Sequence, residues 1–172
     1  KPCILAEDEG YNCEWSTELT VPQARDEYIK AWVLLHVLAK ELELGRADGF
    51  AFCMSVGYDL TGIRSPKIDG FLSDMTDASH TDIFRHCHAV LARRLGDFKS
   101  FAADDLAAIS PNPCNNVTIS TMHGCPAGEI EAIVCHLMQN KGLHLLLKCN
   151  PTLVGFDRAK KVLDALGFHY LR

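Results

Sequence analysis

The chain has 172 residues, 48% apolar and 23% charged, with a net charge of −5. That composition describes a folded domain and excludes a disordered tail, and the acidic balance (pI ≈ 5.9) excludes general attraction to nucleic-acid phosphates or anionic membrane surfaces. No apolar run approaches the roughly 18–20 residues of a membrane span and no signal peptide opens the chain, so a cytoplasmic location is expected, with neither nucleic acid nor membrane as partner.

The chain begins Lys1-Pro2-Cys3 without Met and ends at Leu171-Arg172 inside an apolar run, the pattern expected of an internal fragment. Its first candidate region, Glu7-Asp8-Glu9-Gly10-Tyr11-Asn12-Cys13-Glu14-Trp15-Ser16, reads as a loop. Surface solvation accounts for the acids but not for Trp15, a candidate substrate contact. Val21 to Leu44 carries Tyr28, Ala31, Trp32, Leu35, Leu38, Ala39 and Leu42 at helical spacing, with Pro22 suited to the first turn and Gly45 to the end. Phe50 to Val56, bounded by Gly49 and Gly57, is a continuous apolar run that predicts a strand buried on both faces, and hence a parallel sheet. Pro66 to Ala78 and His80 to Leu95 predict two helices, with a cap near Ser79 between them. From Phe98 to Cys114 a helical turn within Ala102 to Ile109 gives way to a loop at Pro111 and Pro113.

The last third has the clearest rhythm. Asn116 to Thr121 is a β-branched strand leading into a helix opened by Pro126, whose Ile130, Ile133, Val134, Leu137 and Met138 form a face to be buried. Gly142 ends that helix, Leu143 to Cys149 predicts the next strand, and Phe156 to Leu166 the next helix. After Gly167, Phe168 to Leu171 predicts a further strand. Strands alternating with helices over short connections predict one α/β domain spanning 1–172, with right-handed crossovers.

In such folds ligands gather at the carboxyl ends of the strands. Ser55-Val56-Gly57-Tyr58 offers small residues that allow close approach of a planar ligand, although a simple turn would use the same residues. Ser120-Thr121-Met122-His123-Gly124-Cys125-Pro126 places Cys125 at a helix N-terminus, where exposed N–H groups and the helix dipole favour a thiolate, with His123 near enough in sequence to assist. A small residue filling a tight turn is the plainer alternative for Cys125. Lys148 interrupts an otherwise apolar strand, so it either snorkels from a sheet edge or serves an anion or cofactor at the strand end; the polar turn Asn150-Pro151-Thr152 that follows favours the cofactor.

The eight cysteines include no C-x-x-C pair. Cys53 and Cys149 stand in apolar surroundings, and reduced core thiols are expected. His86-Cys87-His88 and His123-Gly124-Cys125 are local donor clusters, but neither has a partner pair at zinc-ligand spacing, so no metal site is expected.

The blocks Ala6-Glu7-Asp8-Glu9, Glu14-Trp15-Ser16-Thr17-Glu18, Asp26-Glu27-Tyr28-Ile29-Lys30-Ala31-Trp32, Met54-Ser55-Val56-Gly57-Tyr58 and Ser120 to Pro126 occur in an order that resembles one family. It is the bacterial "putative selenate reductase" large-subunit family. Glu129-Ile130-Glu131-Ala132-Ile133, Lys141-Gly142-Leu143, Lys148 and Asn150-Pro151-Thr152-Leu153 continue the match, which is weakest from Phe71 to Pro113. The family is similar to dihydropyrimidine dehydrogenase and the glutamate synthase small subunit. The resemblance implies a dihydroorotate dehydrogenase-type (β/α)8 TIM barrel, of which this chain is a partial stretch covering about the second to sixth strands.

By that resemblance, Gly124-Cys125-Pro126 looks like the turn that carries a proton-transferring cysteine, and Lys148 looks like the lysine held beside the flavin N1 and O2. FMN would lie across the strand ends among Ser55, Gly57, Ser120, Lys148 and Asn150. FAD, iron–sulfur clusters and NAD(P)H are expected in other domains or subunits of the oxidoreductase complex. Ser120, Thr121 and Ala127 stand where pyrimidine-reducing relatives carry asparagines, which argues against a pyrimidine. Thr121, Trp15 and the Asn12 amide are the substrate-contact candidates for another small, heterocyclic molecule. The resemblance implies a flavin-dependent enzyme; a barrel kept as a non-catalytic scaffold or docking module is the alternative.

Overall fold

Residues 2–6, 10–13, 19–46, 49–50, 52–120, 125–148 and 154–170 are described by a computed structural model of the chain. Strand β1 (Pro2–Ala6) and strand β2 (Gly10–Cys13) pair antiparallel as a separate ribbon. The acidic region expected to be loop throughout is therefore strand over Gly10–Cys13, while its remaining residues 7–9 and 14–16 lie outside the described set.

Helix α1 (Val21–Glu41) forms where its spacing predicts, with Gln23 Oε1 accepting the Thr20 N–H at 2.8 Å and Pro22 in the first turn, where no backbone donor is needed. It buries Ile29, Trp32, Val33, His36 and Val37. Beyond it come β3 (Met54–Val56), the single turn α2 (Leu60–Ile63), α3 (Pro66–Thr76) and α4 (Asp82–Arg94). The predicted cap at Ser79 moves to Thr81, whose hydroxyl accepts the Phe84 N–H at 3.3 Å, while the Ser79 N–H donates to Asp77. Helix α5 (Ala103–Ala108) falls inside the predicted Ala102–Ile109 window. Strand β4 (Asn116–Ile119) leads to α6 (Ala127–Cys135), which continues as a π-turn over His136–Asn140. Gly142, at φ +64°, reverses the chain into β5 (His144–Leu147), and α7 (Phe156–Ala165) follows.

Strands β3, β4 and β5 pair parallel and in sequence order, with Val56, Ile119 and Leu147 in register. Sequential order without reversal is the winding of a barrel wall, since right-handed crossovers then place every helix on one face. The burial pattern agrees. Met54, Val56, Val117 and Ile119 join Ile29, Val33, Ile68, Leu72 and Met75 from α1 and α3 in one core, while Ser55 on the other face is exposed.

Several expectations are corrected by that one-sided coverage. The seven-residue run Phe50 to Val56 yields a strand of only three residues, and it is not buried on both faces. Phe50 and Phe52 leave the sheet to pack edge-on against Trp32, at centroid distances of 5.5 and 5.9 Å. Strand β5 is an edge, with Leu146 and Leu147 exposed rather than buried, because none of the described residues pairs beyond it. On α6 only Ile133 and on the π-turn only Leu137 are buried, and Met138 is exposed. Residues 169–170 form a turn, and none of 168–170 is strand, where a strand was expected. The thiols divide too: Cys114 is buried and Cys87 half-buried, but Cys53 and Cys135 are exposed, and Cys149 lies outside the described residues.

Two features of this frame carry pH dependence. Glu41, at the end of α1, accepts backbone N–H groups of Lys99, Ser100 and Phe101 at 2.9–3.1 Å, and these bonds hold its carboxyl below the usual range. The contribution is full above the unfolded glutamate pKa of about 4.3 and is lost as pH falls through the depressed folded value. Glu41→Ala is expected to lower the amide protection factors of Ser100 and Phe101 at neutral pH to the values the parent reaches only in acid. Unchanged exchange would show the clamp to be inert.

His88 stacks on Phe84 at 4.4 Å with its Nε2 buried and without a partner among the described residues, and burial pushes its pKa down. A neutral folded imidazole that protonates on unfolding withdraws stability as pH falls below about 6.5. Replacing His88 with Phe should therefore flatten the change in urea midpoint between pH 7.5 and 5, and an equally steep change would refute that role.

Candidate functional site

One residue beyond the register Val56–Ile119–Leu147 stand Gly57, Ser120 and Lys148. Their placement side by side is fixed by ladder bonds from the Ser120 N–H to the Val56 carbonyl (2.9 Å) and from the Lys148 N–H to the Ile119 carbonyl (3.1 Å). Strand alternation puts them on the same sheet face as Ser55, Thr118 and Leu146, the face without helices. Three of the residues singled out from sequence, Gly57, Ser120 and Lys148, thus meet on one rim at the carboxyl ends of the strands, and Ser55 lies on the same face inside β3.

The rim is open and narrow-walled. A Cβ on Gly57 would stand 3.4 Å from the Ser120 carbonyl oxygen, an ordinary van der Waals contact, so what glycine leaves here is exposed backbone at the end of β3. Lys148 is exposed, and among the described residues its ammonium has no ion-pair partner. An uncommitted cation beside exposed backbone and a hydroxyl can receive an anionic or hydrogen-bonding planar group.

Cys125 sits at the entry to α6, one residue before the capping Pro126, half-buried and packed against the core cluster. His123, Thr121, Asn150 and Trp15 lie outside the described residues, and Asn12 is described only as part of the β2 backbone. Among the described residues no three His, Cys, Asp or Glu side chains are grouped to hold a metal ion. The thiols with raised pKa are Cys87 and Cys114, both pushed up by burial.

Two residues to which the sequence assigns no role of their own shape this end of the sheet. Glu129 Oε1, in the first turn of α6, accepts the Leu60 N–H at 3.3 Å and so joins the loop after β4 to the loop after β3. Tyr58, directly after Gly57, lies under the Lys67 ammonium at 5.8 Å from its ring centroid and close against Gly62, where a Cβ would come within 2.9 Å of the Tyr58 Cβ.

The family described as "Oxidoreductase YgfK, N-terminal TIM-barrel domain" matches residues 1–172. Proteins named "Putative oxidoreductase YgfK" from Escherichia coli K12 and O157:H7 are each 43% identical over 183 aligned residues, covering 99% of this chain and 18% of theirs. The chain therefore spans under a fifth of the length of these relatives. No solved structure matches it. No helix among the described residues is long and apolar enough to cross a membrane.

Proposed function

The chain belongs to the family of oxidoreductase YgfK N-terminal TIM-barrel domains, and on that premise we propose that it forms part of the substrate-handling barrel of a flavin-dependent oxidoreductase. The observation that carries the proposal is the coincidence of Gly57, Ser120 and Lys148 at one level of three parallel strands, on the face the helices leave open. In a (β/α)8 enzyme this is the catalytic pole.

The residues fit FMN. Exposed backbone at Gly57 gives a flat ring room to approach, the Ser120 and Ser55 hydroxyls can bond its polar edge, and the Lys148 ammonium can balance negative charge at N1 and O2. When bound, FMN supplies hydride exchange at its N5. Cys125, at the mouth of α6, is assigned the accompanying proton on the reacting carbon of the substrate, with His123 as the group that renews it.

A small substrate completes the site, with Asn12, Trp15 and Thr121 as its contacts. A heterocyclic compound suits a stacked arrangement on the flavin and offers the carbon that the hydride and the proton require. NAD(P)H, FAD and iron–sulfur centres elsewhere in the complex would pass electrons to this barrel, in the cytoplasm.

The test is reconstitution of the full-length gene product with FMN followed by an absorbance spectrum after gel filtration. Stoichiometric flavin is expected. A well-folded protein that retains none would instead make the barrel a scaffold or docking module.

A further inference from the structure

We propose that Glu129 is a positioning residue for Cys125, acting through its hydrogen bond to the Leu60 backbone. The inference rests on the reading of Cys125 as the proton-transferring thiol and adds the device that holds it in place.

Helix α2 has Asp59 as its cap, and the Asp59 carboxylate accepts the Gly62 N–H at 2.6 Å. That leaves the first-turn N–H of Leu60 without an intrahelical acceptor, as at every helix start. Glu129 supplies the acceptor at 3.3 Å from 69 residues away. The carboxylate is itself well placed at the first turn of α6, where the helix dipole favours negative charge. One side chain thereby bridges two helix starts, each of which follows a strand of the candidate rim.

The bridge matters because of what lies at its two ends. On one side the chain runs from Leu60 back through Asp59 and Tyr58 to Gly57. On the other, Glu129 stands four residues after Cys125, on a turn whose Glu129 and Ile130 N–H groups both bond to the Pro126 carbonyl at 3.0 Å. The first turn of α6 is thus a rigid arm with Cys125 at its tip, and the Glu129–Leu60 bond fixes that arm relative to the Gly57 loop. Without the bond, the start of α6 keeps its own hydrogen bonds and its packing beside α2 but loses its hydrogen-bonded link to the loop after β3.

The test is peptide-resolved alkylation of the folded, full-length protein with iodoacetamide, with plateau rates compared near pH 10, above the ordinary thiol pKa of about 8.5. Exposed Cys53 and Cys135 serve as references and buried Cys114 reports unfolding. Leu60→Pro removes the donor together with the Leu60 side chain, which is half-buried against the core, and Leu60→Ala, which keeps the N–H, separates the two losses. Proline suits a first helical position, and Asp59, at φ −66° and ψ 172°, already has the extended conformation that precedes a proline. Glu129→Ala removes the acceptor, and Glu129→Gln keeps an acceptor oxygen while removing the charge.

Leu60→Pro and Glu129→Ala are each expected to speed Cys125 alkylation by about fivefold, the scale of one net hydrogen bond, with the references unchanged. The double variant should be no faster than either single, and Glu129→Gln should stay within about twofold of the parent. Rates within about twofold of the parent in Leu60→Pro or Glu129→Ala, or effects that multiply in the double, would overturn the proposal. If Cys114 becomes reactive in those variants, amide exchange of the unmodified protein decides: Leu60 protected at neutral pH upholds the bond, and an unprotected Leu60 amide overturns it. Alkylation reports where the thiol sits and flavin reconstitution reports whether the barrel binds its cofactor, so either result can fail without the other.

Discussion

Lys148→Ala is expected to weaken FMN retention by the full-length gene product about tenfold or more while leaving the fold intact. Lys148 is exposed, at the end of edge strand β5, and has no ion-pair partner among the described residues, so its removal strands no buried charge. Surface substitutions of that kind change stability by no more than about 0.5 kcal/mol. A hydrogen bond to a charged group contributes about 1.5–3 kcal/mol, and each 1.4 kcal/mol is a factor of ten in affinity. Solvent at the open rim places the effect toward the lower end of that range. Lys148→Arg keeps the charge on a wider, planar head and should fall between alanine and the parent. The measurement is flavin absorbance per protein after gel filtration, with a urea midpoint taken on the same samples. An alanine variant that keeps its flavin as tightly as the parent would remove Lys148 from the site.

What the sequence disclosed was chiefly what periodicity encodes. The span of α1, the start of α6 beside Pro126, and the parallel pairing of Met54–Val56, Asn116–Ile119 and His144–Leu147 followed from apolar spacing and from strand–helix alternation. Burial followed less well, because an apolar run states what could be buried and not what is there to bury it. Leu146 and Leu147 have strand chemistry, but β5 is an edge with one open face, and Phe50 and Phe52 found a better partner in Trp32 than in the ladder. The rim was legible because Gly57, Ser120 and Lys148 each end an apolar run, and strand ends in parallel folds are where ligands collect. The Glu129–Leu60 bond was not legible, since a contact across 69 positions leaves no local pattern.

Trp32 carries the largest expected effect on stability. Its ring lies 4.3 Å from His36, 5.5 Å from Phe50 and 5.9 Å from Phe52, and its Nε1 donates to the Ser110 carbonyl at 2.8 Å. Trp32→Ala therefore deletes the centre of an aromatic cluster and leaves a carbonyl without its donor. The expected loss is about 3–5 kcal/mol, against a total of about 5–15 for a domain of this kind. Trp32→Phe keeps most of the ring contacts and gives up the hydrogen bond, for about 1 kcal/mol. The consequence should reach the rim. Phe52 leads directly toward β3, and its carbonyl accepts from both Cys114 Sγ (2.9 Å) and Asn116 Nδ2 (3.3 Å), which ties the entrance of β3 to that of β4. A cluster that loosens at Trp32 frees both strand entrances, so flavin retention should fall in the alanine variant even though Trp32 itself is nowhere near Lys148 along the chain. Urea unfolding followed by far-ultraviolet circular dichroism, paired with the flavin spectrum, tests both halves. An alanine variant within 1 kcal/mol of the parent would mean that Phe50 and Phe52 repack without the indole, and that the sheet does not depend on α1 for the placement of its strands.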